Sequence, residues 1–393
     1  MRSGPHSTYL DANASEPLRP EAREAALRGL DLCGNPASIH AAGRASRRAL
    51  EDARTVVAAA FGAEPAGVVF TSGGTEANAL AVSGLGLGRR VLTGATEHDA
   101  VLQPCGGAPR VPVMRDGTLD LAALESLLSS GGPALVCAML ANNETGVIHP
   151  VEAIAAICRR HGALLHVDAV QAAGRLPVGL RDLGADSVAV SSHKLGGPKG
   201  AGALLLAAGV SPRPLIVGGG QERGRRGGTP ALPSILGLAA ACAACGLPGD
   251  PGGRRRDGVG RTRDAIEAAA VALGATVCGA SAPRLDNTAC LAWPGLRAEM
   301  QVIALDLAGV QVSAGAACSS GKVARSHVLA AMGLGALAGE AIRVSVPWNA
   351  DGTEAERFAA AYGTMLHTVR AAAEGSLIGI AVGGVMGTKS KQG

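Results

Sequence analysis

Short apolar runs alternate with longer amphipathic stretches over the first two-thirds of the chain. Gly67–Thr71 (GVVFT) reads as a buried strand, followed by a glycine-rich turn and a helix beginning near Glu76. Leu135–Leu140 (LVCAML) is a second such run, and it ends in the polar turn Asn142-Asn143-Glu144-Thr145-Gly146. The pattern predicts a helix over Val151–His161 and strands over Ala163–Val167, Ser187–Val190 and Ala203–Leu206. Strands spaced by helices point to an α/β fold with a mostly parallel, doubly wound sheet. In such sheets ligands sit beyond the carboxyl ends of the strands. The polar motifs of this chain fall there: after Thr71, Leu140, Val167 and Val190.

Residues 247–258 (LPGDPGGRRRDG) read as a linker or exposed loop, and a second α/β set follows. The pattern predicts a helix near 259–273, strands near 275–278 and 288–292, and a helix near 298–308. Further strands are expected near 310–313 and 341–346, and a last helix over 351–373. Phe358, Tyr362, Met365 and Val369 recur at helical spacing in that helix, as a core stripe does. Residues 376–393 read as an irregular tail.

Composition narrows the class. Hydrophobic residues are 47% of the 393 and charged residues 17%, which is a folding, not a disordered, chain. Aromatics are only 2%, so the core must be built from Ala, Val, Leu and Ile. The net charge of +4 is too mild to argue for nucleic acid. No apolar run reaches the roughly 18 residues of a membrane span. Nine scattered cysteines and an N-terminus without an apolar signal region lead us to expect a reduced, cytoplasmic setting. Cys242 and Cys245 form a lone CxxC, better read as core packing than as a metal site.

Lysine is scarce: Lys194, Lys199, Lys322, Lys389 and Lys391 are the five in the chain. Three strand-end motifs then stand out. Thr71-Ser72-Gly73-Gly74-Thr75-Glu76 leads from a strand into a helix start, whose N–H groups suit a phosphate; an ordinary capped helix fits equally. It lacks the GK[ST] of a nucleotide P-loop. Asp168, in His166-Val167-Asp168-Ala169-Val170-Gln171, ends a buried strand, where a carboxylate needs a cationic partner such as a protonated pyridine nitrogen or an arginine. Lys194, in Ser191-Ser192-His193-Lys194, follows 26 residues later at another strand end. A phosphate loop, an aspartate and a lysine at three strand ends are what pyridoxal phosphate requires.

Further motifs run in order over residues 8–373: Tyr9-Leu10-Asp11, Gly34-Asn35-Pro36, Thr96-Glu97-His98, Gly197-Pro198-Lys199-Gly200, Arg226-Gly227-Gly228-Thr229, Ala317-Cys318-Ser319-Ser320 and Ile342-Arg343-Val344-Ser345. Together with the three above, they make the chain resemble the cysteine desulfurases, in the class V group of fold-type I pyridoxal-phosphate enzymes. The resemblance implies a large domain over 16–255 with a mostly parallel seven-stranded sheet. It also implies a smaller α/β domain over 256–375 carrying a catalytic cysteine loop, an N-terminal segment 1–15 packed on that domain, and a tail over 376–393.

It further implies a mechanism. Lys194 holds the coenzyme as a Schiff base and moves protons; Asp168 keeps the pyridine nitrogen protonated. Gln171 and Asn143 contact the ring oxygen, and His98 stacks on the ring. Gly74, Thr75, Ser191, Ser192 and His193 bind the phosphate, and Thr229 reaches the phosphate in the second subunit of a homodimer. Arg343 pairs with the carboxylate of L-cysteine, assisted by Asn35 and Asn13. Cys318, in a small-residue loop expected to be exposed, takes the sulfur as a persulfide and releases alanine. The loop resembles the long-loop branch, which hands sulfur to an iron–sulfur scaffold protein. No resident metal is implied, beyond a cluster that Cys318 could briefly share with the scaffold. The chain departs from the family pattern at Ser15-Glu16 and at Ala324-Arg325. A related lyase or aminotransferase acting on another amino acid, and a non-enzymatic sulfur carrier, are the competing readings.

Overall fold

The computed structural model describes residues 7–245, 253–315 and 325–385, with side chains given outside 253–257 and 370–385. In chain order its strands are β1 (Thr8–Tyr9), β2 (Val68–Thr71), β3 (Arg90–Gly94), β4 (Arg110–Val111), β5 (Ala134–Met139), β6 (Leu164–Asp168), β7 (Ser187–Ser191) and β8 (Gly202–Leu206). They are followed by β9 (Thr276–Val277), β10 (Thr288–Ala292), β11 (Val310–Gln311), β12 (Ser313–Ala314) and β13 (Ala341–Ser345).

Seven strands form the main sheet in the order β2-β8-β7-β6-β5-β3-β4. Strands β3 to β7 are mutually parallel, and β8 alone runs against its neighbours β7 and β2. The carboxyl ends of β2, β5, β6 and β7 therefore share one edge. Helices cover both faces, and the strands divide their side chains by alternation. On β5, Val136 and Ala138 pack into the core cluster of one face, with Leu50, Ile154 and Leu238; Leu135 and Cys137 pack into that of the other, with Leu80 and Val101. Cys242 is buried in the first cluster, as core packing requires.

The second sheet is antiparallel, in the order β12-β13-β10-β9. Its core joins Leu291, Ile342 and Val344 to Phe358 and Tyr362, whose rings stack with centroids 5.1 Å apart. Leu10 packs into the same core, and β1 pairs with β11. Through Leu10 and the bridge from Asp11 to Ser345, the N-terminal chain is tied to the second sheet before it reaches Lys194.

Three expectations need correction. The helix Gly253–Ala272 begins inside the stretch read as a linker; of that stretch, 247–252 lie outside the described residues. The single strand expected near 310–313 is divided: Val310–Gln311 pairs with β1, whereas Ser313–Ala314 pairs with β13. The last helix runs Thr353–Val385, ten residues into the stretch read as an irregular tail. That stretch is rich in glycine, which weakens a helix, but holds no proline to break one. Residues 386–393 lie outside the described residues. Among the described residues, no helix is long and apolar enough to cross a membrane.

Candidate active site

The strand-end motifs converge because β2, β5, β6 and β7 point the same way. A cavity of about 250 Å³ opens there, lined by Gly74, Thr75, Asn78, His98, Asn143, Asp168, Gln171, Ser191, His193 and Lys194, among others. Lys194 ends a single 3-10 turn, Ser192–Lys194, directly after β7. Its Nζ donates to the carbonyl of Asn13 and, at 3.0 Å, to that of Ala14. Burial, then the nearby guanidinium groups of Arg343 and Arg175, lower its pKa to about 7, against smaller opposing pulls from Asp11 and Asp168.

Asp168 is the last residue of β6 and is buried. Its Oδ1 accepts from the Val170 N–H at 2.9 Å and its Oδ2 from Asn78 Nδ2 at 2.7 Å. Burial raises its pKa; the Val170 N–H, His98, Asn78 and Lys194 act against that rise. Asn78 turns its Oδ1 to His166 Nε2 at 2.9 Å, and His166 Nδ1 meets Ser187 Oγ at 2.8 Å. Burial drives His166 down to about 3, so the imidazole is neutral at pH 7. With its Nε2 protonated toward Asn78 and its Nδ1 accepting from Ser187, every member of this chain of bonds is satisfied. His166 and Asp168 sit two apart on one strand and therefore on one face.

The remaining lining residues are set by helix starts and turns. Gly74 opens the helix Gly74–Leu85, and a Cβ on it would lie 2.6 Å from Val170 Cγ2. Ser191 Oγ is buried with no hydrogen-bond partner. His98 caps the helix Asp99–Cys105, its Nδ1 accepting from the Ala100 N–H at 3.1 Å. His193 is driven down to about 4, by burial first and then by Lys194 and Lys199. Gln171 donates from Nε2 to the Asn13 carbonyl at 3.0 Å and accepts from Arg175 at 2.6 Å.

Arg343 and Asn13 lie at the edge of this cluster. Both donate to the Asn143 carbonyl at 3.1 Å, and Arg343 also pairs with Asp11 at 2.7 Å. Arg343 Nε is buried without a partner. Ser192 lies apart, its Oγ so close to Gly197 that a Cβ there would collide with it. Asn35 lines a different pocket, beside Arg54 and Glu222. Thr229 is exposed and lines no part of the cavity. Cys318 lies outside the described residues. Among the described residues, no group of three or more His, Cys, Asp or Glu side chains could hold a metal ion. The local sequence gives Asn78 no distinct role; its one signal is its place one helical turn after Gly74.

Comparison with known proteins gives concordant findings. The family model for aminotransferase class-V matches residues 8–358. The cysteine desulfurase of Cereibacter sphaeroides is 44% identical over 340 residues, covering 82% of this chain and 86% of that protein. The IscS-like cysteine desulfurase of Mycobacterium tuberculosis is 37% identical over 348 residues, covering 84% and 88%. Among solved structures, the NifS-like protein from Rickettsia africae superposes with a TM-score of 0.84 at 29% identity, over 92% of this chain and all (100%) of that one. SspA in complex with cysteine superposes with a TM-score of 0.74 at 28% identity, over 87% and 99%.

Proposed function

The chain belongs to the aminotransferase class-V family, and on that premise we propose that it is a cysteine desulfurase that uses pyridoxal phosphate. It takes sulfur from L-cysteine, releases L-alanine and keeps the sulfur on Cys318. The step balances without an outside oxidant: a thiol plus cysteine becomes a persulfide plus alanine. The observation that carries this reading is the single cavity in which the amine of Lys194, the carboxyl of Asp168 and the start of the helix Gly74–Leu85 face one another.

The residues present fit the coenzyme. The unpartnered Ser191 Oγ, the N–H groups at the helix start, Thr75 and neutral His193 suit its phosphate. Asp168 suits its pyridinium nitrogen, and the neutral His166–Asn78 pair keeps the Asp168 oxygens aimed. When bound, pyridoxal phosphate supplies an electron sink that loosens bonds at the substrate's α and β carbons. Lys194, with a pKa near 7, offers an unprotonated amine at neutral pH and can both take and return a proton. His98 stands at the mouth to assist. Arg343 gives the substrate carboxylate a planar two-pronged partner once Asp11 yields it. The acceptor we propose is an iron–sulfur scaffold protein, and the enzyme a homodimer in which Thr229 contacts the coenzyme phosphate of the second copy.

The direct test is to supply L-cysteine with a reductant and to measure alanine and sulfide; a protein that makes neither is not a desulfurase. The Lys194 pKa predicts a pH profile as well. A lysine at its usual pKa of about 10.4 is almost wholly protonated at pH 7. Lys194 is half unprotonated there, and its nucleophilic form grows as pH rises through 7. The rate at which apoenzyme takes up the coenzyme, followed by visible absorbance, should rise about tenfold per unit below pH 7 and level off above it. A rise continuing to pH 10 would contradict the assignment. For Arg343→Lys, which keeps the charge and loses the fork, KM for L-cysteine should rise about tenfold or more in steady-state assays, with kcat changed less.

A further inference from the structure

Residues 316–324 carry Cys318, and the described residues on both sides of that stretch meet one buried carboxyl group. Glu144 is 2% exposed and sits in the Asn142–Gly146 turn, its N–H held by Asn142 Oδ1 at 2.9 Å. On one side, Gly315 comes so close that a Cβ there would lie 2.7 Å from Glu144 Oε2. On the other, the Ser326 hydroxyl donates to the same Oε2 at 2.5 Å while capping the helix His327–Ala331 through the Leu329 N–H at 3.0 Å. His327 then bonds the backbone carbonyl of Glu97 at 3.0 Å, next to His98. The preceding residue of the turn, Asn143, bears on the active-site cavity and holds Arg343 by its carbonyl. Arg343 itself faces Ser313, two residues before Gly315.

A buried carboxyl group needs hydrogen-bond partners, and only glycine lets the chain approach its oxygen this closely at 315. We propose that Glu144 is a positioning residue for sulfur transfer: it packs against Gly315 and accepts from Ser326, holding these two described residues, which flank the stretch bearing Cys318, beside the active-site turn. This inference rests on Cys318 being the sulfur acceptor. Displacement of a reacting group by about 1 Å can cost about a hundredfold in rate, so the expected losses are large enough to measure.

The test uses holoenzyme in single-turnover reactions with L-cysteine, reading alanine release and the half-saturation of the coenzyme's absorbance change. Glu144→Ala and Ser326→Ala should each slow alanine release about tenfold and leave half-saturation within about twofold. The double variant should be no slower than the slower single, because both remove one contact. Glu144→Gln, whose amide oxygen still accepts from Ser326, should recover most of the rate. Unchanged rates, losses that multiply in the double variant, or half-saturation that weakens in step with rate would each overturn the proposal. If Glu144→Ala does not fold, the pair Ser326→Ala and Ser326→Thr decides: loss in the first and retention in the second support it, and equal behaviour overturns it. Cys318→Ala run alongside separates the two ideas. If that variant still releases alanine at full rate, the acceptor reading fails; if it is dead and the Glu144 variants match wild type, only the positioning role fails.

Discussion

Lys194→Ala is expected to abolish alanine formation from L-cysteine, by at least about 10⁴-fold. The amine is the one lysine lining the active-site cavity, and no other described side chain there carries a primary alkyl amine able to form and re-form an imine with the coenzyme aldehyde. Neighbouring histidines do not replace it: His193 is held at about 4 and His166 at about 3, as weakly basic, hydrogen-bonded rings. The variant should still bind the coenzyme, since the residues assigned to the phosphate and the pyridine nitrogen remain, but should lose it on dialysis. Alanine measured by chromatography and absorbance before and after dialysis check both parts. Activity within tenfold of wild type would remove Lys194 from the reaction.

Cys318→Ala carries the second large effect. Sulfide released in the presence of a reductant should fall at least about a hundredfold, while the coenzyme's absorbance and its response to added L-cysteine persist. Of the eight described cysteines, none lines the cavity shared by Lys194, Asp168 and Thr75, although Cys245 lines a second pocket that Lys194 also borders. Cys137, Cys158, Cys242, Cys278 and Cys290 are buried, and burial pushes the Cys158 thiol to about 12, far from its reactive thiolate form. Cys33 is exposed, and Cys33→Ala should leave sulfide output unchanged. Undiminished output from Cys318→Ala would assign the sulfur another acceptor.

The parts of the site carried by single strand ends are legible in the sequence. Asp168, Lys194 and the Thr71–Glu76 turn each stand out as polar residues where an apolar run stops, and parallel pairing brings such ends together. Contacts made across the fold leave no such local mark. Asn78 reaches Asp168 from a helix, and nothing in the local pattern marks it as more than one polar residue on that helix. Arg175 pairs with Glu16 at 3.0 Å and donates to Gln171, a join between segments about 160 residues apart along the chain. Ser192 shares a motif with Ser191 yet points to Gly197, because the chain has already left β7 for the 3-10 turn Ser192–Lys194. The strand Arg90–Gly94 escapes the hydrophobic pattern for a similar reason: it starts with an exposed arginine and ends in glycine, and only its parallel pairing with β5 defines it.

Borohydride reduction of the holoenzyme, followed by peptide mass mapping, puts the central assignment to its plainest trial. A reduced phosphopyridoxyl group is expected on the peptide carrying Lys194 and on no other. Attachment at Lys199 or Lys322, or no attachment to any lysine in protein that turns over L-cysteine, would contradict it.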